Sequence, residues 1–302
     1  MVTVPCVYIV IPSWNLRDPL LECLRSLMSL DYARYQVVVV DNASTDGTAE
    51  AVRGISADVR VVASEVNRGY AGGLNLGIRL ALEEGADYVL ALNNDTVVEP
   101  GCLKRLVEVA ESDVTVGIVS PKVLYESNPS ILFGLGDRSF WWLPMPLGVG
   151  YRKHDGPQYS GIMEFDYVTG CAMLIKRKLF EEIGLFDTSF FMYYEDSDFC
   201  RRARDRGFRI MCVGDAIVWH KAKLSGNKDH AATKQIRAKN KVRFYRRYRH
   251  GLLPILTYLY LLLSASWTVL DDLLAGRREL VMPYLRGWWE GWRMKEDVRT
   301  CR

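Results

Sequence analysis

The residues best equipped for chemistry stand directly behind apolar runs. Asn93-Asn94-Asp95 follows Tyr88-Val89-Leu90-Ala91-Leu92, a run short and unbroken enough to be a strand buried on both faces. Such a strand delivers hard oxygen ligands at its carboxyl end, where open α/β sheets bind their ligands. Oxygen ligands suit Mg2+ or Mn2+, and one protein carboxylate suffices when substrate phosphates complete the shell. The same three residues would also make an ordinary polar turn. Three other apolar runs end in polar loops: Val7 to Ile11 before Pro12-Ser13-Trp14-Asn15, Val37 to Val40 before Asp41-Asn42, and Val59 to Val62 before Asn67-Arg68-Gly69. Together they offer a ring for stacking (Trp14), an acceptor for a base N–H (Asp41) and small residues that permit close approach. Further on, Glu195-Asp196-Ser197-Asp198 sets three acids within four residues, directly after Phe190-Phe191-Met192-Tyr193-Tyr194. Aromatic neighbours desolvate a carboxylate and make it a better base, while acids ahead of a helix also simply favour its N-terminus. His220 closes another apolar run and reads either as a structural histidine or as a metal ligand.

Positioning these groups requires strands alternating with helices. Leu20, Leu21, Leu24, Leu27 and Met28 recur at helical spacing, which predicts a helix over about 19–30. A second, capped by Thr45 or Asp46, runs to about Gly54, and a third spans about 72–84. Steady β-α alternation implies βαβ units, a parallel sheet, and right-handed crossovers that gather the strand ends along one edge. Neither G-x-G-x-x-G nor G-x-x-x-x-G-K-[ST] follows the first run, which disfavours a dinucleotide fold or a phosphate loop. The 302 residues allow one large α/β domain with an appendage, and a net charge of +3 is too small to argue for nucleic acid. Seven scattered cysteines without a C-x-x-C pair predict reduced core thiols and no zinc site. The N-terminal run reads as a first strand, not as a signal peptide.

In order over residues 7 to 220, Ile11-Pro12-Ser13-Trp14-Asn15, Val40-Asp41-Asn42-Ala43-Ser44-Thr45-Asp46-Gly47-Thr48, Asn67-Arg68-Gly69-Tyr70-Ala71-Gly72-Gly73-Leu74-Asn75 and Leu92-Asn93-Asn94-Asp95-Thr96 resemble glycosyltransferase family 2. The resemblance is strongest to its bacterial rhamnosyltransferase-like branch and implies the GT-A fold: α/β, a single Rossmann-like, mostly parallel sheet flanked by helices. It also implies a nucleotide-sugar site drawn from Pro12, Ser13, Trp14, Asn15, Asp41, Asn67, Arg68, Gly69, Gly72, Asn75, Asn93 and Asn94, with Asp41 holding the pyrimidine and Trp14 against the base. Gly170 and Cys171 would lie beside the donor sugar. Asp95 would be the metal carboxylate, with Asn93 standing where the family usually has the first acid of D-x-D, and His220 a second ligand. Asp196 takes the role of general base, Glu195 that of an orienting neighbour, and Asp198 that of a helix cap. The basic stretch 221–241 resembles a loop that orders over the diphosphate, with Lys221, Lys223, Lys228 and Lys234 available.

The expected organisation is a GT-A catalytic domain over 1–238, with a nucleotide-binding half (1–116) and an acceptor half (117–238), followed by a helical, membrane-associating tail over 239–302. Residues 117–165 read as a loop or hairpin over the site or as a packed surface excursion. In the tail, Lys239 to His250 interleaves Lys and Arg with aromatics, and Gly251 to Leu270 carries no charge. Trp288-Trp289-Glu290-Gly291-Trp292-Arg293-Met294-Lys295 is typical of a membrane interface. Helices lying on or dipping into the cytoplasmic leaflet of the cell membrane fit this pattern; burial of the same faces against the catalytic domain or in a homodimer is the alternative. The expected activity is inverting, metal-dependent transfer of a sugar from dTDP-rhamnose or a UDP-sugar to a lipid-linked glycan in cell-envelope polysaccharide synthesis. A sugar nucleotidyltransferase and a non-catalytic membrane scaffold are the rival expectations, and no nucleic-acid partner is expected.

Overall fold

The computed structural model describes residues 4–140, 145–222, 230–248 and 254–295. In chain order its strands are β1 (Val7–Ser13), β2 (Tyr35–Asp41), β3 (Val59–Ala63), β4 (Tyr88–Leu92), β5 (Thr96–Val98), β6 (Val116–Tyr125), β7 (Asn128–Gly134), β8 (Gly136–Arg138), β9 (Leu147–Val149), β10 (Ile162–Phe165), β11 (Ala172–Lys176) and β12 (Arg209–His220). The helices are α1 (Arg17–Leu27), α2 (Thr48–Ile55), α3 (Gly69–Glu83), α4 (Cys102–Ser112), α5 (Arg177–Ile183), α6 (Glu195–Asp205), α7 (His230–Arg247), α8 (Pro254–Leu274) and α9 (Val281–Arg293). The chain divides into two compact units, one of Met1–Asp137, Gly148–Phe191 and Glu195–Ala222, the other of Arg138–Leu147, Met192–Tyr194 and Lys223–Arg302.

The first unit is built on a mixed sheet with the order β10-β12-β6-β11-β4-β1-β2-β3, to which β5 adds on β12 and β7 on β6. Strands β4, β1, β2 and β3 run parallel. Strand β11 is antiparallel to both β4 and β6 and joins this half to the parallel β6–β12 pair. Every residue of β1 and β4 is buried, as expected of strands covered on both faces. Alternation sends Val7, Ile9 and Ile11 into a core with Leu20, Leu24 and Leu27 of α1 and Leu103 and Leu106 of α4. On the opposite face a Cβ on Gly77 of α3 would collide with Val10, so a residue without a side chain lets α3 lie against the sheet.

Several boundaries differ from the sequence expectation. The first helix starts two residues early and stops at Leu27, and the third begins at Gly69 instead of 72. The stretch 117–165 is no plain loop: it holds β6, a β6–β7 hairpin, β8, β9 and β10. The runs 210–213 and 216–220 form one strand, β12, with a register shift between Val213 and Ile217. Six cysteines are free, and Cys301 lies outside the described residues.

The second unit corrects the expected loop over 221–241. Residues 223–229, with Lys223 and Lys228, lie outside the described residues, but from His230 the chain is helix α7. Its Lys234 is not available to a diphosphate, because it pairs at 2.6 Å with Asp272, a fully buried carboxylate of α8 that Arg277 also contacts at 3.1 Å. Helix α9 docks on α7 through Gly287 and Gly291, where any Cβ would strike the backbone of Gln235 or Lys239. Arg246 donates to the carbonyls of Gly291 and Trp292 at 2.8 and 2.7 Å, closing the end of α9. Replacing Lys234 with Met is expected to leave Asp272 half-compensated and to destabilise this unit by about 2–3 kcal/mol, somewhat less than the loss of a sole buried partner. Chemical denaturation of the full chain checks this; an unchanged midpoint would refute it.

Ile255, Leu259, Leu262, Leu263, Trp267, Leu270 and Leu274 form an exposed stripe along α8, and Met282, Leu285 and Trp289 are exposed on α9. Amphipathic helices normally turn such a stripe inward. Among the described residues no helix is long and apolar enough to cross a membrane.

Candidate active site

The carboxyl ends of β1, β2 and β4 converge through side-chain amides. Strand register sets Ser13 beside Asp41, and the Ser13 hydroxyl accepts from Asn94 Nδ2 at 2.9 Å. Asn42 ties the second loop to the third: its Nδ2 donates to Asn67 Oδ1 (3.1 Å) and to the Gly69 carbonyl (2.9 Å), and its Oδ1 accepts from the Arg68 N–H (2.9 Å). Asn67 Oδ1 also accepts from the Gly69 N–H. Gly69 has φ +72 and a Cβ there would overlap Phe191, so only glycine fits. On the other side, Asn15 adopts φ +50 and its Oδ1 accepts from the Thr45 N–H at 2.7 Å. Asp41 is buried and its Oδ1 accepts from the Ser44 N–H at 3.2 Å. Trp14 is 55% exposed beside it, a free aromatic face at the rim. Pro12 is buried, Arg68 is exposed and donates to Ser64, and a Cβ on Gly72 would meet only the Arg68 side chain.

Asp95 is fully buried at the end of β4. Strand β5 pairs Thr96 with His220 of β12, and this register delivers His220 Nε2 to 3.1 Å from Asp95 Oδ1. Asn93 Nδ2 lies 3.5 Å from the same nitrogen, and the Asn93 N–H donates to the Cys171 carbonyl at 2.9 Å. Phe133 packs edge-on against the imidazole at 4.7 Å. Burial alone would depress His220, but Cys171 and the Asp95 carboxylate outweigh it and carry it up to about 11. A carboxylate and an imidazole are a donor set that Mn2+ accepts, and two protein ligands leave room for phosphate oxygens. Among the described residues no group of three or more His, Cys, Asp or Glu is placed to hold a metal ion.

Glu195 and Asp196 are not ahead of α6, as the sequence suggested, but in its first turn. Asp196 Oδ2 accepts from the Gly170 N–H at 2.9 Å and Oδ1 from the Ser197 N–H at 2.7 Å. Burial pushes its carboxyl above the usual range, and those two N–H donors hold it back. A Cβ on Gly170 would lie 3.1 Å from Asp196 Cβ, which explains a glycine there. Glu195 is buried with Oε2 lacking a hydrogen-bond partner, and burial, then Asp196, push it well above a normal carboxyl. Phe191 and, in the second unit, Tyr193 and Tyr194 all have positive φ, a strained approach to this turn. Asp198, also in the first turn, pairs with Arg202 at 2.8 Å, and Arg202 also donates to the carbonyls of Ile183 and Leu185, anchoring α6.

Asn75 is buried, with both ends of its amide engaged by the backbone of Phe186. Lys221 pairs with Glu22 and lies near Glu126. Three residues escaped the sequence reading. Asn42 was visible inside its motif but its bridging role was not. Tyr70 donates to the Gly170 carbonyl at 2.8 Å, linking α3 to the segment that holds Asp196. Asp137 shares a cavity of about 570 Å3 with Asp196.

Comparison with known proteins gives the family and the fold. Residues 8–184 match the model of the family described as glycosyl transferase family 2. A low-salt glycan biosynthesis hexosyltransferase, Agl10, of Haloferax volcanii is 32% identical over 205 residues, covering 65% of this chain and 62% of that protein. The chain therefore spans a little under two thirds of that relative's length. An N-acetylglucosaminyl-diphospho-decaprenol L-rhamnosyltransferase of Mycobacterium tuberculosis is 29% identical over 238 residues, 71% of this chain and 76% of that one. Among solved structures, a mannosyltransferase from Pyrobaculum calidifontis in complex with GDP-Man and Mn2+ superimposes with a TM-score of 0.62 at 20% identity, covering 98% of this chain and 89% of that one. The sheet with its flanking helices is the GT-A fold, and the chain belongs to glycosyl transferase family 2.

Proposed function

We propose that the chain transfers a sugar from a nucleoside diphosphate sugar to an acceptor hydroxyl with inversion, on the cytoplasmic face of a membrane. The observation that carries this reading is the 3.1 Å approach of His220 to the buried Asp95 at the same sheet rim as Asp41. Asp95 and His220 would hold Mg2+ or Mn2+, which when bound neutralises charge on the departing diphosphate. Asp41 receives the N3–H edge of a pyrimidine and Trp14 covers its face. At the anomeric carbon the acceptor oxygen forms its bond as the bond to the diphosphate breaks, with the electron pair leaving on the diphosphate. The hydroxyl proton passes to Asp196. Its two N–H bonds fix the carboxylate's orientation while lone pairs remain to take the proton. A single base working with a metal-assisted leaving group predicts inversion.

The L-rhamnosyltransferase relative favours a dTDP-rhamnose donor, with UDP-sugars accepted equally well by Asp41. The poly-β-1,6-N-acetyl-D-glucosamine synthase relative of Staphylococcus aureus, 26% identical over 208 residues, supports a place in polysaccharide assembly. The outward apolar stripe of α8, with exposed Arg277, Arg278 and Arg286 following it, supports helices lying in an anionic lipid surface and a lipid-linked acceptor. A hydrolysis screen across nucleotide sugars, with UDP and dTDP titrations with and without Mn2+, tests the reading. Turnover of one donor and at least about tenfold tighter nucleotide binding with Mn2+ are expected. Metal-independent affinity with no turnover would favour a scaffold. Flotation with phosphatidylglycerol vesicles should carry the protein; sedimentation away from them would remove the membrane part alone.

A further inference from the structure

Beside Asp196 lies a cavity of about 570 Å3 whose walls the transfer chemistry has not yet used. Its size falls in the ordinary range of small-molecule sites, roughly 300–1,000 Å3. The walls come from the end of β7, from β8 and β9, from the segment just before β11, and from the first turn of α6. Two of the lining residues are carboxylates, Asp137 and Asp196, and two are tyrosines, Tyr151 and Tyr167. Among the described residues that line it there is no Lys, Arg or His.

The backbone fixes Asp137 firmly. Its N–H donates to the Tyr167 carbonyl at 2.8 Å, and its carbonyl accepts from Asp166 and Tyr167 at 2.9 and 3.2 Å. Glycines clear the space around it. A Cβ on Gly136 would overlap Phe165 and the Tyr167 carbonyl, and one on Gly148 would come to 3.2 Å from Asp137 Oδ1. The Asp137 carboxylate has no ion-pair partner among the described residues. Burial, and then the charge of Asp196, push it up to about 6. A carboxylate so placed has acceptor capacity that no ion pair among the described residues takes up.

We infer that this cavity receives the reacting sugar of the acceptor as an uncharged ring, and that Asp137 is the positioning residue that grips its hydroxyls for attack. The inference rests on the transferase reading above and adds the chemical class of what enters. Hydroxyl pairs of a pyranose donate to Asp137, tyrosine faces cover the apolar side of the ring, and one hydroxyl is left to Asp196. A phosphorylated ring would set a dianion against two carboxylates with no Lys, Arg or His among the described lining residues, and such like-charge juxtaposition is disfavoured. A diphosphate carried by the acceptor must therefore stay outside this cavity, leaving only its sugar within.

The test uses the full chain with whichever donor the screen identifies, and methyl glycosides of N-acetylglucosamine and rhamnose as acceptor probes, with N-acetylglucosamine 6-phosphate as the charged comparison. Asp137→Ala is expected to raise the acceptor KM by about 10- to 100-fold, the loss expected of hydrogen bonds to a charged group. Asp137→Asn, isosteric and still able to bond hydroxyls, should recover part of it. Affinity for the nucleoside diphosphate with Mn2+ should stay at the wild-type value in both, which also shows that they are folded. The wild type should discriminate against the 6-phosphate by more than tenfold, and Asp137→Asn should narrow that margin. An unchanged acceptor KM in both variants, or a phosphorylated sugar used as well as the neutral one, overturns the inference while leaving the transferase reading intact. A wild type that turns over no nucleotide sugar overturns both.

Discussion

Replacing Asp196 with asparagine is expected to lower kcat by about 10²- to 10⁴-fold, the usual worth of a positioned base, with donor affinity nearly unchanged. The amide keeps the size of the carboxylate and can still accept the Gly170 N–H, so the fold of the turn should survive. What disappears is the group proposed to take the acceptor proton. The pH profile makes the assignment specific. Burial raises the Asp196 carboxyl above its usual range, so the group is protonated, and useless as a base, at pH values where an exposed aspartate is still charged. Activity should fall on the acid side with a midpoint above that of an ordinary carboxylate and recover as pH rises. Because Asp137 lies in the same cavity and Glu195 next in sequence, that limb belongs to the coupled group rather than to one residue. In Asp196→Asn the limb of the residual activity should shift as the rate falls. Normal turnover in this variant would remove Asp196 from the mechanism. Isothermal titration with nucleoside diphosphate separates the loss of chemistry from the loss of binding.

The second large effect is expected at Asp95. Asp95→Asn should weaken metal-dependent nucleotide binding by at least about 100-fold, the upper end of what even supporting residues of metal sites cost. Binding measured without metal should change little. His220 sharpens this prediction. Against the effect of burial, Cys171 and Asp95 beside it push the pKa of His220 up, and a cation must displace its proton to reach the imidazole nitrogen. Mn2+ affinity should therefore rise with pH across the neutral range, with proton release detectable by titration in buffers of different ionisation enthalpy. Removing Asp95 takes away one of the groups that hold this proton, so the pH dependence should flatten in the variant. A pH-independent Mn2+ affinity in the wild type would mean that His220 is not a ligand.

Much of the site was legible because parallel strands covered on both faces read as unbroken apolar runs, and the polar residues that end them stand out. Asp41 and Asp95 stand out in this way: Asp41 closes β2, and Asp95 comes shortly after the fully buried β4. What escaped depends on partners distant in sequence. Asp137 lies among glycines, prolines and aromatics that carry no periodicity, and its backbone partner Tyr167 arrives from a separate segment. Asp198 reads as a cap because acids favour helix starts; its ion pair with Arg202, which also reaches the carbonyls of Ile183 and Leu185, is not visible in the sequence. Lys234 looked free for a phosphate until α8 brought Asp272 to it.

The sequence by itself determined the alternation of strands and helices and the chemical identity of the groups at the strand ends, since hydrophobic period and residue type are local properties. The tertiary structure alone decided which carboxylates are buried, which face a cavity and which are already paired. Those outcomes depend on desolvation and on neighbours that sheet register brings together across more than a hundred residues, as it does for Asp95 and His220.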